Sequence, residues 1–337
     1  MKKFLKTKII AEIGVNHNGS MRKAITLINA AKKSGADVVK FQFFNSCRLV
    51  SKKAKKAPYQ LKSKKDNERQ YKLLKSLELS LENLLKIKSY CKKKKIGFMI
   101  SIFDETGIEA LKKLKTQDVK IPSGEINNYP LLKSIGKLKK NIILSTGMAS
   151  YAEIYNALKI LIKSGIKKKK ITLLQCNSSY PTPLHDVNLK VIKEYQKKFK
   201  VKVGYSDHTQ GIESSLAAVA LGAIIIEKHF TLNKKSEGPD HSSSLNPKEF
   251  SLLCKSIRKV EVSLGKNEKK LTRSEKPNFK LIRKSIVAKN FIYKGEKLNL
   301  NNITLKRPAG GLGPEQWDEI VGKIAKKNFK EDEFIKI

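Results

Sequence analysis

The sequence predicts an α/β protein: a (β/α)8 TIM barrel over residues 1–265, a linker at 266–279 and a small β-rich domain at 280–337. Three observations predict it. Eight short, continuously apolar runs alternate with eight helical stretches over the first 265 residues, a pattern that suits strands buried on both faces. A polar, charged break follows, GKNEKKLTRSEKPNF. Beyond it, short β-like runs alternate with turn signals such as KGEKL and RPAGGLGP.

In chain order, TKIIAEIG (7–14) is the first strand, and 20–34 is a helix closed by Gly35. ADVVKFQFF (36–44) is the second strand. Residues 45–79 form a long excursion containing KKAPYQLK (55–62) and a polar helical stretch. Loops of this length in a compact domain are usually functional. A helix at 80–95 starts at a serine, with Glu82 in its first turn. Strands three to eight are 96–103, 118–124, 141–147, 170–176, 201–206 and 223–229. The helices that follow them are 105–115, 128–139, 150–164, 187–198, 211–221 and 247–264. A doubly wound sheet is the competing architecture, but no GxGxxG follows the first strand.

A barrel gathers the C-terminal ends of its strands at one mouth. Chemically capable residues fall at those ends here. They are Glu12 and Asn16-His17-Asn18, Lys40 and Gln42, Ser101 and Asp104, and Lys120, Ser123 and Glu125. Ser145 and Thr146, Asn177, Ser178 and Tyr180, Asp207-His208, and Lys228 and His229 complete the series. His208 and His229 each end a buried strand, so they read either as a metal pair or as two independent turn caps. Lys40 and Lys120 sit within apolar runs, and a buried ammonium is costly unless it meets an anion. With Ser123, Ser145 and glycine-rich turns they describe a site for phosphate plus carboxylate. Arg307, in KRPAGG, either reaches a ligand or stays on the surface.

Bulk properties exclude several classes. The 337 residues suffice for one large domain and a small one. The formal net charge is +41, yet only seven of the 71 basic residues are arginine. Nucleic-acid surfaces favour arginine for its bidentate contacts and stacking. The lysines are spread over nearly every helix face and loop, so they read as solvated surface, and no nucleic-acid partner is expected. Their field still favours anionic substrates. Cys47, Cys91, Cys176 and Cys254 form no CxxC pair, as expected of reduced thiols in a cytosol. No secretory signal and no 18-residue apolar stretch is apparent, so a cytoplasmic protein without membrane attachment is expected.

These residues carry a resemblance. AEIGVNHNGS, GADVVKFQ, KIPSGEINNYPLL, ILSTGM, SYPTP, GYSDHT, EKHFTL, GPDH and the C-terminal KSIVAK…KGE…KRP…GK together resemble the bacterial sialic acid synthase family over essentially the whole length. The resemblance implies a TIM barrel joined to a small β-rich SAF (antifreeze-like, β-clip) domain in a domain-swapped homodimer. It implies condensation of phosphoenolpyruvate with an N-acylated mannose-type sugar, giving a nine-carbon 2-keto acid and phosphate. It assigns His208 and His229 to a divalent metal, usually Mn²⁺ with Mg²⁺ or Co²⁺ as alternatives, with Glu12 and Glu227 nearby. It assigns Lys40, Lys120, Ser123, Ser145 and Ser206 to phosphoenolpyruvate. It places Gln42, Glu125, Asn127, Tyr180 and Asp240 around the sugar, and brings Arg307 from the partner subunit to the N-acyl group. Glu12, Lys120 and Glu125 are the catalytic candidates, Glu125 for proton transfer at the aldehyde or ring oxygen.

The chain departs from the family pattern at three places. Ile102 and Phe103 replace a threonine and a proline after strand three, removing a hydroxyl expected to help hold the carboxylate. Phe43 follows Gln42 where a threonine or serine is usual, and Ser179 precedes Tyr180 where the family often has a glutamate nearby. KKAPYQLK and GPDHSS resemble the branch that contains both N-acetylneuraminate and legionaminate synthases. The acceptor is therefore N-acetylmannosamine or a 2,4-diacetamido-2,4,6-trideoxymannose, with pseudaminate synthesis more distant. A non-catalytic sugar-binding protein is the reading from another class, and it would have no need of both histidines, both lysines and Glu125 together.

Overall fold

A computed structural model describes residues 6–57, 60 and 69–337. Residues 1–5, Pro58, Tyr59 and 61–68 lie outside the described residues, and with them part of KKAPYQLK and of the polar helical stretch expected in the 45–79 excursion. The chain divides into two compact units, Met1–Gly265 and Lys266–Ile337.

In the first unit, the described residues form the predicted barrel. Its strands are β1 (Lys8–Gly14), β2 (Val38–Phe43), β3 (Gly97–Ile102), β4 (Asp118–Ile121), β5 (Asn141–Ser145), β6 (Ile171–Gln175), β7 (Lys202–Asp207) and β8 (Ile225–His229). They pair in chain order, all parallel, and β8 closes onto β1. A helix follows each strand, and sequence-encoded caps fix where several begin. Ser20 and Ser80 accept hydrogen bonds from the amides of Lys23 and Asn83. Ser150 with Glu153, and Asn246 with Glu249, form capping boxes. The helix expected at 187–198 begins only at Val191. Asn188, at φ 49°, interrupts the helical dihedrals, and Leu184–Asp186 is a separate 3₁₀ turn.

Successive strand side chains alternate between the barrel interior and the helix layer. The outward set, such as Ile9, Ala11 and Ile13 of β1, packs with Ala24, Leu27, Ile28 and Ala31 of the Met21–Lys33 helix in the main core. The inward set has two characters. Ile10, Val38, Met99, Ile143, Leu174 and Ile225 form an apolar plug. Two residues further along, the inward positions turn polar: Glu12, Lys40, Ser101, Ser145 and Glu227, joined by Lys120 and Ser206. Register sets Glu12 opposite both Lys40 and His229, Ser101 opposite Lys120, and Ser206 opposite Glu227. The plug is thus the floor on which a charged layer stands. Gly204 lets it close, because a Cβ there would lie 2.6 Å from both the Ile225 carbonyl oxygen and Leu174 Cδ2.

The second unit starts with a helix at Lys276–Ile282, inside the segment expected to be linker. Strands β9 (Ser285–Ala288) and β10 (Ile303–Lys306) pair antiparallel. A small core of Ile286, Ala288, Ile292, Leu298, Ile303, Ile320, Ala325, Phe329 and Ile335 holds this unit together.

Candidate active site

The charged layer is a compact network. Lys40 Nζ donates to Ser101 Oγ at 2.9 Å and lies 3.2 Å from Glu12 Oε2 and 3.3 Å from Glu227 Oε1. Lys120 Nζ lies 3.3 Å from the same Glu227 oxygen, which also accepts from Ser206 Oγ at 3.0 Å. Glu227 Oε2 has no hydrogen-bond partner. Burial opposes the Glu227 charge, but Lys120 and Lys40 override it and hold the carboxyl at about 2. Burial raises Glu12 above the usual carboxylate range; Lys40 opposes this and the Glu227 charge adds to it. Lys40 is held above the usual lysine range, since its two carboxylates outweigh burial. Lys120, which pairs with Glu227, is pulled below that range by burial. With Lys40 and Lys120 sharing one Glu227 oxygen, the layer favours an incoming anion.

Above it stand the two imidazoles, their ring centroids 5.5 Å apart. His208 Nδ1 donates to the Asn177 carbonyl at 2.5 Å, which leaves Nε2 with its lone pair. His229 Nδ1 has no hydrogen-bond partner and lies 3.7 Å from Asp240 Oδ2. Burial lowers His208 to about 4 and His229 well below the usual imidazole range, so both are neutral. Tyr180 packs over His208 with centroids 4.2 Å apart, and meets His229 edge-on at 5.7 Å. Among the described residues no three His, Cys, Asp or Glu side chains converge to enclose an ion. Two neutral rings, His208 Nε2 meeting only Ser206 Oγ at a long 3.4 Å and His229 Nδ1 without a partner, together with an unpartnered Glu227 oxygen, nevertheless suit an open divalent site, completed by substrate or water oxygens.

The cleft over these groups is lined by Glu12, Lys40, Gln42, Ser101, Lys120, Ser123, Ser145, Cys176, Tyr180, Ser206, His208, Glu227, His229 and Asp240. Gln42 Nε2 donates to Glu12 Oε1 at 3.2 Å. Asp240 is pushed up to about 7 by burial and the Glu12 charge, against Lys40. Ser123 Oγ meets Ser178 Oγ at 3.2 Å, and both press on Gly147, where a Cβ would come within 2.6 Å of each hydroxyl. Val15, Gln60, Leu74, Leu77, Phe103, Pro122 and Pro239 complete the lining.

Not every residue singled out from the sequence lies there. Glu125, on the Ser123–Glu125 turn, is half-buried, and its Oε2 accepts from Asn128 Nδ2 at 2.7 Å. Burial raises its carboxyl, the Asn128 bond opposes this, and the Asp104 charge adds to it. Neither Glu125 nor the exposed Asn127 lines the cleft. Arg307 is exposed in the second unit, on the loop after β10. Asp207 and Lys228 fall on the outward phase of β7 and β8, where Lys228 Nζ pairs with Asp207 Oδ2 at 2.9 Å behind the barrel. Asn16 donates to the Phe230 carbonyl and to Ser244 Oγ, so it braces the mouth. Asp104 caps the next helix at the Thr106 amide.

The departures read from the sequence also resolve by phase. Ile102 is fully buried on the outward face, against Gly107, so no hydroxyl is lost from the cleft at that position. Phe43 is its register partner on that face. Glu227, which the resemblance sets near the metal, pairs with the two lysines through Oε1 and leaves Oε2 without a partner. The apolar lining residues Val15, Leu74 and Leu77 were not singled out from the sequence. Phase gave a signal for Ser101, two residues beyond Met99, and for Glu227, two before His229.

A family model described as the NeuB family matches residues 27–269, and one described as the SAF domain matches 283–337. N,N'-diacetyllegionaminic acid synthase of Campylobacter jejuni is 51% identical over 331 residues, spanning 98% of this chain and 99% of that protein. Human N-acetylneuraminate-9-phosphate synthase is 38% identical over 335 residues, spanning 97% of this chain and 90% of that one. The solved structure of N-acetylneuraminic acid synthetase from Leptospira borgpetersenii, in complex with citrate, is similar with a TM-score of 0.71 at 34% identity, covering 81% of this chain and 90% of that chain.

Proposed function

We infer the reaction from one premise: the chain belongs to the NeuB family. It condenses phosphoenolpyruvate and water with an N-acylated mannose-type sugar, N-acetylmannosamine or a 2,4-diacetamido-2,4,6-trideoxymannose, to give a nine-carbon 2-keto acid and phosphate. The observation that carries this reading is the pair of buried lysines sharing Glu227 on the barrel floor, directly beneath two neutral imidazoles.

In this reading Lys40 and Lys120, with Ser123, Ser145 and Ser206, hold the phosphate and carboxylate of phosphoenolpyruvate. Its C3 forms a bond to the aldehyde carbon of the open-chain sugar. Water adds at C2, the C2–O bond breaks, and phosphate leaves. Gln42, Tyr180 and Asp240 address the sugar in the cleft, joined by Arg307. Glu12 and Asp240, which line the cleft, are both held above the ordinary carboxylate range, which suits giving a proton to the aldehyde oxygen. A divalent ion held by His208 and His229, Mn²⁺ in the first instance, supplies a Lewis acid at that oxygen. The working assembly is a cytoplasmic homodimer in which Arg307 of each chain completes the other's site. The test is phosphate release from phosphoenolpyruvate with Mn²⁺ and each sugar in turn, with product masses read. Phosphate and a nine-carbon keto acid from at least one sugar is the expected result; binding of phosphoenolpyruvate without release from either sinks the proposal.

A further inference from the structure

The barrel interior has a third layer, which the reaction does not use. Followed backwards from the plug, the inward phase reaches Lys8 two residues before Ile10, Asn141 before Ile143, Thr172 before Leu174 and Lys202 before Gly204. Asp118 is the register partner of Asn141. These residues stand at the starts of their strands, so they meet at the end of the barrel opposite the cleft. With Lys6, Lys169 and Lys170 they line a cavity of about 220 Å³, and Ile143 and Ile225 of the plug give it an apolar base. Five lysines thus line a cavity that has one carboxylate. Both oxygens of that carboxylate are engaged, Asp118 Oδ2 by Lys8 Nζ at 2.7 Å and Oδ1 by Asn141 Nδ2 at 2.9 Å. Lys6 pairs with Asp37 at 3.0 Å, and Lys170 Nζ donates to the Lys139 carbonyl at 2.8 Å. Among the described residues no carboxylate pairs with Lys169, Lys170 or Lys202. A concavity of one sign over a low-dielectric base focuses its field, so it holds a multivalent anion better than the same lysines spread over a helix face. Three unmatched ammonium groups suit a diphosphate, whose charge is spread over several adjacent oxygens.

We propose that this cavity is a second anion site, which takes the diphosphate group of a small molecule such as a nucleoside diphosphate. The site is independent of the synthase reading. Its occupant bears on the underside of the plug, whose other side carries Glu12 and Lys40. Pyrophosphate, titrated calorimetrically into the intact protein at physiological salt, tests it. The wild type should bind, and the double variant Lys169→Ala with Lys202→Ala should bind about ten-fold more weakly. Both positions are exposed, so the barrel should fold unchanged. Lys92→Ala with Lys193→Ala removes the same charge from exposed helix positions and should leave the affinity within about two-fold. Uridine diphosphate should bind at least as tightly as pyrophosphate and suffer the same loss, since diphosphate is the shared group. Three outcomes overturn the proposal: no binding by the wild type, equal weakening in the two double variants, or binding that Lys40→Ala abolishes and the Lys169 and Lys202 pair leaves unchanged. The second would reduce the effect to diffuse surface charge, and the third would place the anion in the cleft.

Discussion

Lys120 and Lys228 are both buried lysines on barrel strands, and they serve opposite ends. Lys120 points inward, where it pairs with Glu227, and burial lowers its proton affinity. Lys228 points outward, pairs with Asp207 at 2.9 Å and donates to the Thr209 carbonyl at 2.7 Å. Replacing Lys228 with Met leaves the buried Asp207 carboxylate to Tyr205, Thr209 and Ser215 without its cation. That should cost about 3 kcal/mol in urea unfolding and leave the KM for phosphoenolpyruvate unchanged. A loss below about 1 kcal/mol would mean that the pair adds little to stability. Lys120 was visible in the sequence as a charge in an apolar run, and Lys228 as a polar group at a strand end. Their division between site and scaffold was not, because it depends on which phase of each strand faces the barrel axis. Counting by twos from His229 selects Glu227 and rejects Lys228, whereas reading each strand end as one cluster merged them.

At the level of elements, the sequence revealed all eight strands because each is a short apolar run with its own punctuation, and capping serines and asparagines marked several helix starts. What it concealed were effects of backbone geometry, such as the delayed helix start beyond Asn188. Gly204 is another: within VKVGYS it looks like a weak point in a strand, yet the barrel floor needs it. Gly204→Ala would press a methyl on the Ile225 carbonyl and on Leu174. We expect it to lower unfolding free energy by about 2 kcal/mol through overpacking. An unchanged denaturation midpoint would show that β7 and β8 separate without strain.

For the whole molecule, the polar break after residue 265 and the change to short β runs made two units legible, while composition gave no sign of the helix at Lys276–Ile282. The proposed exchange of Arg307 between subunits is a statement about assembly, and it has a direct test. Lys40→Ala and Arg307→Ala should each be nearly inactive alone. If each site combines one chain's barrel with the other chain's Arg307, unfolding and refolding the two variants together should restore about a quarter of wild-type activity, through the mixed dimers' one intact site. No recovery would place Arg307 in its own chain's site or outside any site. The layering of the barrel has a further consequence, for how such proteins diversify. Lysines, carboxylates and imidazoles sit on strands, where inserting a single residue reverses every following side chain. The apolar lining residues Val15, Leu74, Leu77 and Phe103 lie beyond the strand ends and on a separate helix, where length and composition change freely. Descendants of one ancestral barrel can therefore trade one sugar for another through a few loop mutations while inheriting the bond-forming apparatus intact.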